Sequence, residues 1–469
     1  MTPEFYDRVN ELSLLRERYK SLQEGQLLAL YGRRRVGKTE LVKVFMESIP
    51  VKNKFYFYVD LSGKQELLNS LAAAVQEQLG ETLRFGSFDD FFDFIKEKSP
   101  EKFLLVIDEF QRFLDVAPEF ITKLQNQWDS VLKNQKLMVI IVGSSIGMMQ
   151  KITESRAGAL YGRAKKIKIS PFRYVDFRLM FKNFSEKEKI ERYAVFGGTP
   201  YYLEKTRKIE KTTNAISELL LKKGGDLVEE PKTLMEYENV RVHATYNSLI
   251  HSIASGKEVL KEIQDFTGLS LTTIPAYLKR LDELLDLVGK HDPLLGKERL
   301  GRYTIRDNFF KFWYKFIFPH QTALNLGNDK IVLAQIEEGL NSYVGRIFED
   351  IVRELLVLYL NKKIKGVEIN FENIGSWWDR NSNEIDVVAY NNKERTILVG
   401  EVKWTTKPVD VDVFYTLQDR AKLLPFAGKY QYLIVSKNGF TPKCLEKMNA
   451  VGVLHLDLDE ITKLFDQAE

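Results

Sequence analysis

The stretch LALYGRRRVGKTELVKVF, Leu28 to Phe45, decides how the first part of the chain is read. An apolar run stops at Gly32, three arginines follow, and Gly37-Lys38-Thr39 opens a segment with helical spacing. Gly32 to Thr39 matches GxxxxGK[ST] in full, between a predicted strand and a predicted helix. The backbone N–H groups of Gly32, Arg33, Arg34, Arg35, Val36 and Gly37 are expected to form a concave anion site. The helix N-terminus adds its dipole, and Glu40 falls in the first turn. Lys38 is expected to reach the β- and γ-phosphates and the Thr39 hydroxyl to ligate Mg²⁺. The expected cofactors are therefore ATP or ADP with Mg²⁺.

Working outward, FLLVIDEF ends an apolar run in Asp108 and Glu109, about 70 residues beyond the loop. In a phosphate-loop protein the first acid holds Mg²⁺ and the second polarises the attacking water. VIIVGSS ends another run in hydroxyls, which makes Ser144 or Ser145 a candidate contact to the γ-phosphate or the water. Strand-like runs at Leu27–Leu30, Lys54–Leu61, Lys102–Glu109, Leu137–Ser145 and Lys165–Ser170 alternate with helix-like ones such as Gln65–Leu79 and Glu119–Leu132. That alternation predicts a parallel sheet covered on both faces. A helical segment follows from Tyr174 to about Leu221. Lys222–Lys232, with two glycines, a proline and charges, reads as a linker.

Length and composition set the frame. A chain of 469 residues predicts two to four domains. Sixty-nine basic and 65 acidic residues leave a net charge of +4, too small to imply nucleic-acid binding by itself. One cysteine, Cys444, excludes an intrachain disulfide, and five scattered histidines give no zinc spacing, which fits a reducing compartment. MTPEFYDRVNELSLL carries acids and no apolar core segment, so a signal peptide is not expected. The longest aromatic-apolar run, Phe309–Phe318, contains two lysines and is too short for a membrane helix. A cytoplasmic location is expected.

Beyond Tyr246 the pattern is helix, helix, helix, then two strand-like runs that could pair as a hairpin, the order of a winged helix-turn-helix. Thr272, Thr273, Lys279 and Arg280 are its candidate DNA contacts, although only two of the four are basic and Pro275 sits near the start of the second helix. Near the C-terminus, NEIDVVAY places Asp386 on a strand, and LVGEVKW places Glu401 and Lys403 on one face of the next. Two carboxylates can hold Mg²⁺ and a lysine can activate water for phosphodiester attack. An acid among apolar residues calls for a partner or a metal. Trp377 and Trp378 either stack on bases or cover a core edge.

Taken together, FYDRVNELSLL, YGRRRVGKTEL, VIDEFQ, LYGRAKKIKISPF and FGGTPYYL, in this order, resemble the archaeal and bacterial ATPases of the AAA+/STAND superfamily that carry a C-terminal nuclease-like domain. The resemblance implies that Phe5, Arg8 and Glu11 line a base pocket. It implies that Arg163 meets a γ-phosphate of its own or a neighbouring subunit, and that Pro200 belongs to a nucleotide-sensing helical motif. The Asp386–Glu401–Lys403 pattern is similar to the PD-(D/E)xK nucleases, which implies Glu349 as a helical acid and metal ligand and Gln418 as a further polar group. The expected architecture is α/β and multidomain: a P-loop ATPase core (1–172), a helical lid and linker (173–232), a winged helix-turn-helix (233–330) and a restriction-endonuclease-like domain (331–469). The expected function is a Mg²⁺-dependent ATPase coupling nucleotide state to DNA binding and cleavage, with self-association through the ATPase domain. The alternative is a nucleotide switch whose nuclease-like domain only binds DNA or a protein.

Overall fold

In the computed structural model, which describes residues 6, 8–237, 244–296 and 300–468, the chain divides into two compact units. The first comprises residues 1–171 with 280–286, the second residues 172–279 with 287–469.

Five strands build the first unit: β1 (Gln26–Tyr31), β2 (Lys54–Tyr58), β3 (Phe103–Asp108), β4 (Leu137–Gly143) and β5 (Ala164–Lys168). All neighbours are parallel, in the order β2-β3-β4-β1-β5. β3 and β4 are buried at every position, which is why they read as unbroken apolar runs. One face packs on Leu67, Phe91, Phe113, Phe120 and their neighbours. The other packs on Leu15, Leu41, Val42 and Phe45, from the first helix (Val9–Lys20) and the helix after β1 (Lys38–Glu47). Since every strand runs the same way, the loops after β1, β3 and β4 leave from one edge, the edge where open α/β sheets bind ligands.

The second unit begins with short helices, among them Glu186–Phe196 and Pro200–Thr206. The segment expected as a linker is more ordered than its glycines suggested: Leu227 is fully buried and Glu230–Tyr237 is a helix with Pro231 in its first turn. Helices Ala244–Ala254, Leu260–Thr267 and Ile274–Glu283 follow, the last of them passing into the first unit's residues from Arg280, and then the antiparallel pair β6 (Val288–His291) and β7 (Arg302–Ile305). Phe309–Phe318 is buried helix, as its aromatic content predicts.

A 30-residue helix, Asp329–Leu358, leads into the small pair β8 (Lys362–Ile364) and β9 (Val367–Ile369). A mixed sheet comes next, β10 (Asn373–Trp378), β11 (Glu384–Asn391), β12 (Thr396–Lys403), β13 (Lys429–Ser436) and β14 (Leu454–Asp457), in sequential order. β10, β11 and β12 are antiparallel, whereas β12, β13 and β14 are parallel. Among the described residues no helix is long and apolar enough to cross a membrane.

Candidate active site

The loop after β1 is built around close backbone approach. A Cβ at Gly32 would lie 2.1 Å from the carbonyl oxygen of Ile169, whose N–H donates to Tyr31 O at 2.7 Å, so only glycine fits. Further along, Arg35 (φ 73°) and Gly37 (φ 89°) take left-handed backbone, the alternation of hand from which anion-binding nests are made. Arg33, Arg34 and Arg35 are half-buried, Val36 is buried and Glu40 is exposed. Lys38 is buried and its ammonium donates to the carbonyls of Gly32 (2.9 Å) and Arg33 (2.8 Å), so it folds back over the loop. Arg8 donates to Val36 O at 3.1 Å and to Ser170 O at 2.6 Å, and pairs with Glu11 at 3.1 Å. Phe5 lies outside the described residues.

At the end of β3, Asp108 is 1% exposed and saturated by neutral donors. The Thr39 hydroxyl (2.7 Å) and the Tyr56 hydroxyl (2.8 Å) both donate to its Oδ2, and the Glu109 N–H donates to Oδ1 (2.8 Å). Burial, then the Asp108 charge, push the Tyr56 hydroxyl well above the ordinary tyrosine pKa, so it stays a donor. Glu109 is in left-handed backbone (φ 54°), a conformation that costs about 1–2 kcal/mol and turns its side chain at the strand end. Its Oε2 accepts from Gln111 Nε2 (2.7 Å) and Ser144 Oγ (3.0 Å), with Arg112 Nε at 3.5 Å.

Of the two serines, Ser144 joins this network and also accepts from Gln111 (3.2 Å). Ser145 caps the helix Ile146–Thr153. Among the described residues Gln111 Oε1 is buried with no hydrogen-bond partner. Tyr56 and Gln111 were not anticipated from sequence; the visible signal for Gln111 was its place two residues after Glu109 in VIDEFQ. Arg163 is not brought to this network: it forms a bidentate pair with Asp129, at 2.8 and 2.7 Å. Pro200 opens the helix Pro200–Thr206 of the second unit.

The second group of candidate residues lies on the mixed sheet. The pairing of Val387 with Gly400, continued by one position, sets Asp386 opposite Glu401, side chains on the same face. Asp386 Oδ2 accepts the Val402 N–H at 2.8 Å. Burial, with the Glu401 charge second, pushes the Asp386 carboxyl up to about 6. Burial, with the Asp386 charge second, also raises Glu349 well above the usual range. Glu401, 5% exposed, pairs with the Lys403 ammonium at 2.5 Å and the Arg420 guanidinium at 3.4 Å. Burial works against the Lys403 ammonium, but the Glu401 charge holds its pKa above the ordinary value.

Asp386 and Glu349 line one cavity, of about 800 Å³, whereas Lys403 lines another, of about 410 Å³. Among the described residues no three His, Cys, Asp or Glu side chains gather as a metal site. Gln418 sits on the helix Val411–Ala421, two residues before Arg420, the cation that sequence reasoning missed. Trp377 packs in the sheet's apolar cluster, and Trp378 is 5% exposed with Arg302 stacked 4.5 Å from its ring, so both cover a core edge.

Comparison with known proteins decides the family. The chain is 32% identical over 446 residues to the uncharacterized protein MJECL04 of Methanocaldococcus jannaschii, covering 92% of this chain and 95% of that one. The chain belongs to that protein's family. Residues 5–206 match an ATPase domain predominantly from Archaea. Residues 313–414 match a family described as Archaea bacterial proteins of unknown function. Among solved structures, the Walker-type ATPase paby2304 of Pyrococcus abyssi aligns with a TM-score of 0.49 and 20% identity, over 67% of this chain and 97% of that one. The ORC2 protein of Aeropyrum pernix, in ADPNP and ADP complexes, aligns with a TM-score of 0.44 and 15% identity, over 71% and 96%. The chain thus carries an archaeal ATPase domain over residues 5–206, on the five-stranded parallel sheet of a P-loop α/β fold, and a second unit built on a mixed sheet.

Proposed function

We propose that the protein is a cytoplasmic, Mg²⁺-dependent ATP hydrolase that couples its nucleotide state to self-association through the ATPase domain and to DNA binding by the second unit. The observation that carries this reading is the Glu109 carboxylate, held by Ser144 and Gln111 beside the Asp108–Thr39 pair. Held this way, Glu109 is the residue to polarise an attacking water. Lys38 exchanges its two carbonyl acceptors for phosphate oxygens when nucleotide enters. The donor set fits Mg²⁺: Thr39 and Asp108 would hold it, because among the described residues Asp108 receives only neutral donors. When bound, Mg²⁺ supplies charge neutralisation at the β- and γ-oxygens. The test is ATP turnover by the full chain with Mg²⁺, compared with Lys38→Ala. Turnover equal in the two proteins overturns the reading.

DNA binding is supported by the three helices followed by the β6–β7 hairpin, with Thr272, Thr273 and Lys279 exposed at the start and on the outside of the third helix. Cleavage by a PD-(D/E)xK-type domain is the second reading, favoured by Asp386 standing opposite Glu401. The residues present do not fit a metal there, because the Glu401 oxygens are taken up by Lys403 and Arg420. Plasmid and single-stranded DNA incubated with Mg²⁺ or Mn²⁺, with and without ATP, distinguish the two. Cutting that disappears in Asp386→Ala supports the nuclease, and intact DNA under all conditions supports DNA binding without cleavage.

A further inference from the structure

The cavity of about 800 Å³ in the second unit has no part in the nucleotide site. Its walls come from β6 and β7 (Lys290, Arg302), the helix Asn308–Phe312 (Lys311), the long helix (Arg346, Glu349) and β11 (Asp386). The hairpin forms a wall because it is fastened to the mixed sheet. Leu294 N–H donates to Ser376 O at 2.8 Å, Leu294 and Leu295 pack against the sheet's apolar cluster, and Trp378 Nε1 donates to Leu300 O at 2.8 Å.

Most charges on the lining already have a partner. Arg302 pairs with Glu384 (2.9 Å), Arg346 with Glu258 (2.8 Å), Lys290 with Asp292 (3.4 Å) and Arg353 with Asp350 (2.5 Å). Lys311 is different. Among the described residues its ammonium makes no hydrogen bond or ion pair, although it lines the cavity between buried Phe310 and Phe312. Burial lowers its pKa, opposed by the charges of Asp350 and Glu258. A half-buried ammonium without a partner carries a desolvation cost, and an entering anion reduces it. A cavity of this size is in the range that holds one small organic ligand, roughly 300–1,000 Å³.

We infer that this cavity binds a phosphate group carried on a single nucleotide unit, with Lys311 taking the phosphate charge. The inference rests on the reading of the second unit as a nucleic-acid-binding part, and it names what that part holds. A free nucleotide and the phosphorylated end of a strand present the same oxyanion, and the test separates them.

The experiment uses the full chain carrying Lys38→Ala, so that binding at the P-loop is suppressed. A fluorescent tetranucleotide with a 5′-phosphate is compared with its 5′-hydroxyl counterpart, with AMP as competitor. The phosphorylated probe is expected to bind about tenfold more tightly, the scale of one charge-assisted hydrogen bond. Adding Lys311→Met is expected to erase that preference, and Lys311→Arg to keep it, with thermal melting confirming that both variants fold. AMP competing as well as unlabelled tetranucleotide assigns the site to free nucleotides, and competition by the tetranucleotide alone assigns it to strand ends. Equal binding of the two probes, or an undiminished preference in Lys311→Met, overturns the inference. The probe comparison in the Lys311 parent decides the matter even where Lys311→Met fails to fold. ATP turnover of the chain with Lys38 intact is measured alongside, since it persists when only the cavity reading fails.

Discussion

Asp108 and Glu109 end a parallel strand in the first unit; Asp386 and Glu401 face each other across an antiparallel pair in the second. Asp108 and Glu401 are buried, Glu109 and Asp386 half-buried, and the two buried acids are served by opposite kinds of partner. Asp108 receives two hydroxyls and an N–H, and Glu109 receives an amide and a hydroxyl with an arginine at a longer 3.5 Å. Among the described residues Asp108 is positioned by neutral donors alone, which leaves it able to attract a cation, whereas Glu109 has one arginine at the edge of ion-pair range, as Glu401 does. Glu401 is held by an ammonium and a guanidinium, which cancel it. The lesson is that the spacing of two acids and a lysine does not by itself say which partners the acids take.

The hardest test of this contrast is Glu109→Gln. The amide keeps the shape and the contacts to Ser144 and loses the basic oxygen. ATP turnover is expected to fall by about 100-fold or more, while nucleotide binding, followed by a fluorescent analogue, stays within about threefold. A variant that turns over normally removes Glu109 from the mechanism. In the second unit the same change should act on stability instead. Glu401→Gln strands Lys403 and Arg420, with side chains 33% and 28% exposed, beside a position only 7% exposed. A loss of about 2 kcal/mol in chemical denaturation is expected, below the full cost of a completely buried pair because both cations reach solvent. ATP turnover should not change.

How much of this was legible beforehand follows from chain distance. The P-loop, β1, β3 and β4 could be read directly, because the chemistry and its flanking periodicity are contiguous in sequence. Tyr56 could not: it meets Asp108 across 52 residues, and nothing near VIDEF marks an alternating β2 tyrosine as a ligand of the acid. Arg420 likewise meets Glu401 across 19 residues from a helix whose face was unknown. The residues 222–232 misled because glycines and charges outweighed one leucine, and only packing reveals that Leu227 is buried. The hairpin β6–β7 was expected from its strand pattern, but its attachment to Ser376 and Trp378 is tertiary and left no periodic trace.

A smaller effect follows from the Asp386 carboxyl, pushed up to about 6 by burial and Glu401. An unfolded aspartate titrates near ~3.9. Between those values the native state keeps a proton that the unfolded state has released, so this group's contribution to stability is present at low pH and is lost as pH rises through about 4 to 6. Glu349, raised as well, extends the same sign to higher pH. Asp386→Asn removes the first contribution and can still accept from the Val402 N–H. The variant should gain about 1–2 kcal/mol relative to the parent on going from pH 4 to pH 6.5. Parallel stability profiles for parent and variant would show that Asp386 is not perturbed as its surroundings require.

The smallest change sharpens the comparison most. Tyr56→Phe deletes one hydroxyl and nothing else, and it takes from Asp108 one of two donors to the same oxygen. Thr39 and the Glu109 N–H remain, so the carboxylate is still held. Since Tyr56 is half-buried rather than enclosed, folding stability should drop by no more than about 1 kcal/mol. An oxygen relieved of one donor carries more negative charge for a cation, so the Mg²⁺ concentration giving half-maximal ATP turnover should fall. If Tyr56 instead orients the acid, that concentration rises together with a lower maximal rate. The direction of the shift therefore decides whether neutral donors at this site mainly temper the charge of Asp108 or mainly aim it.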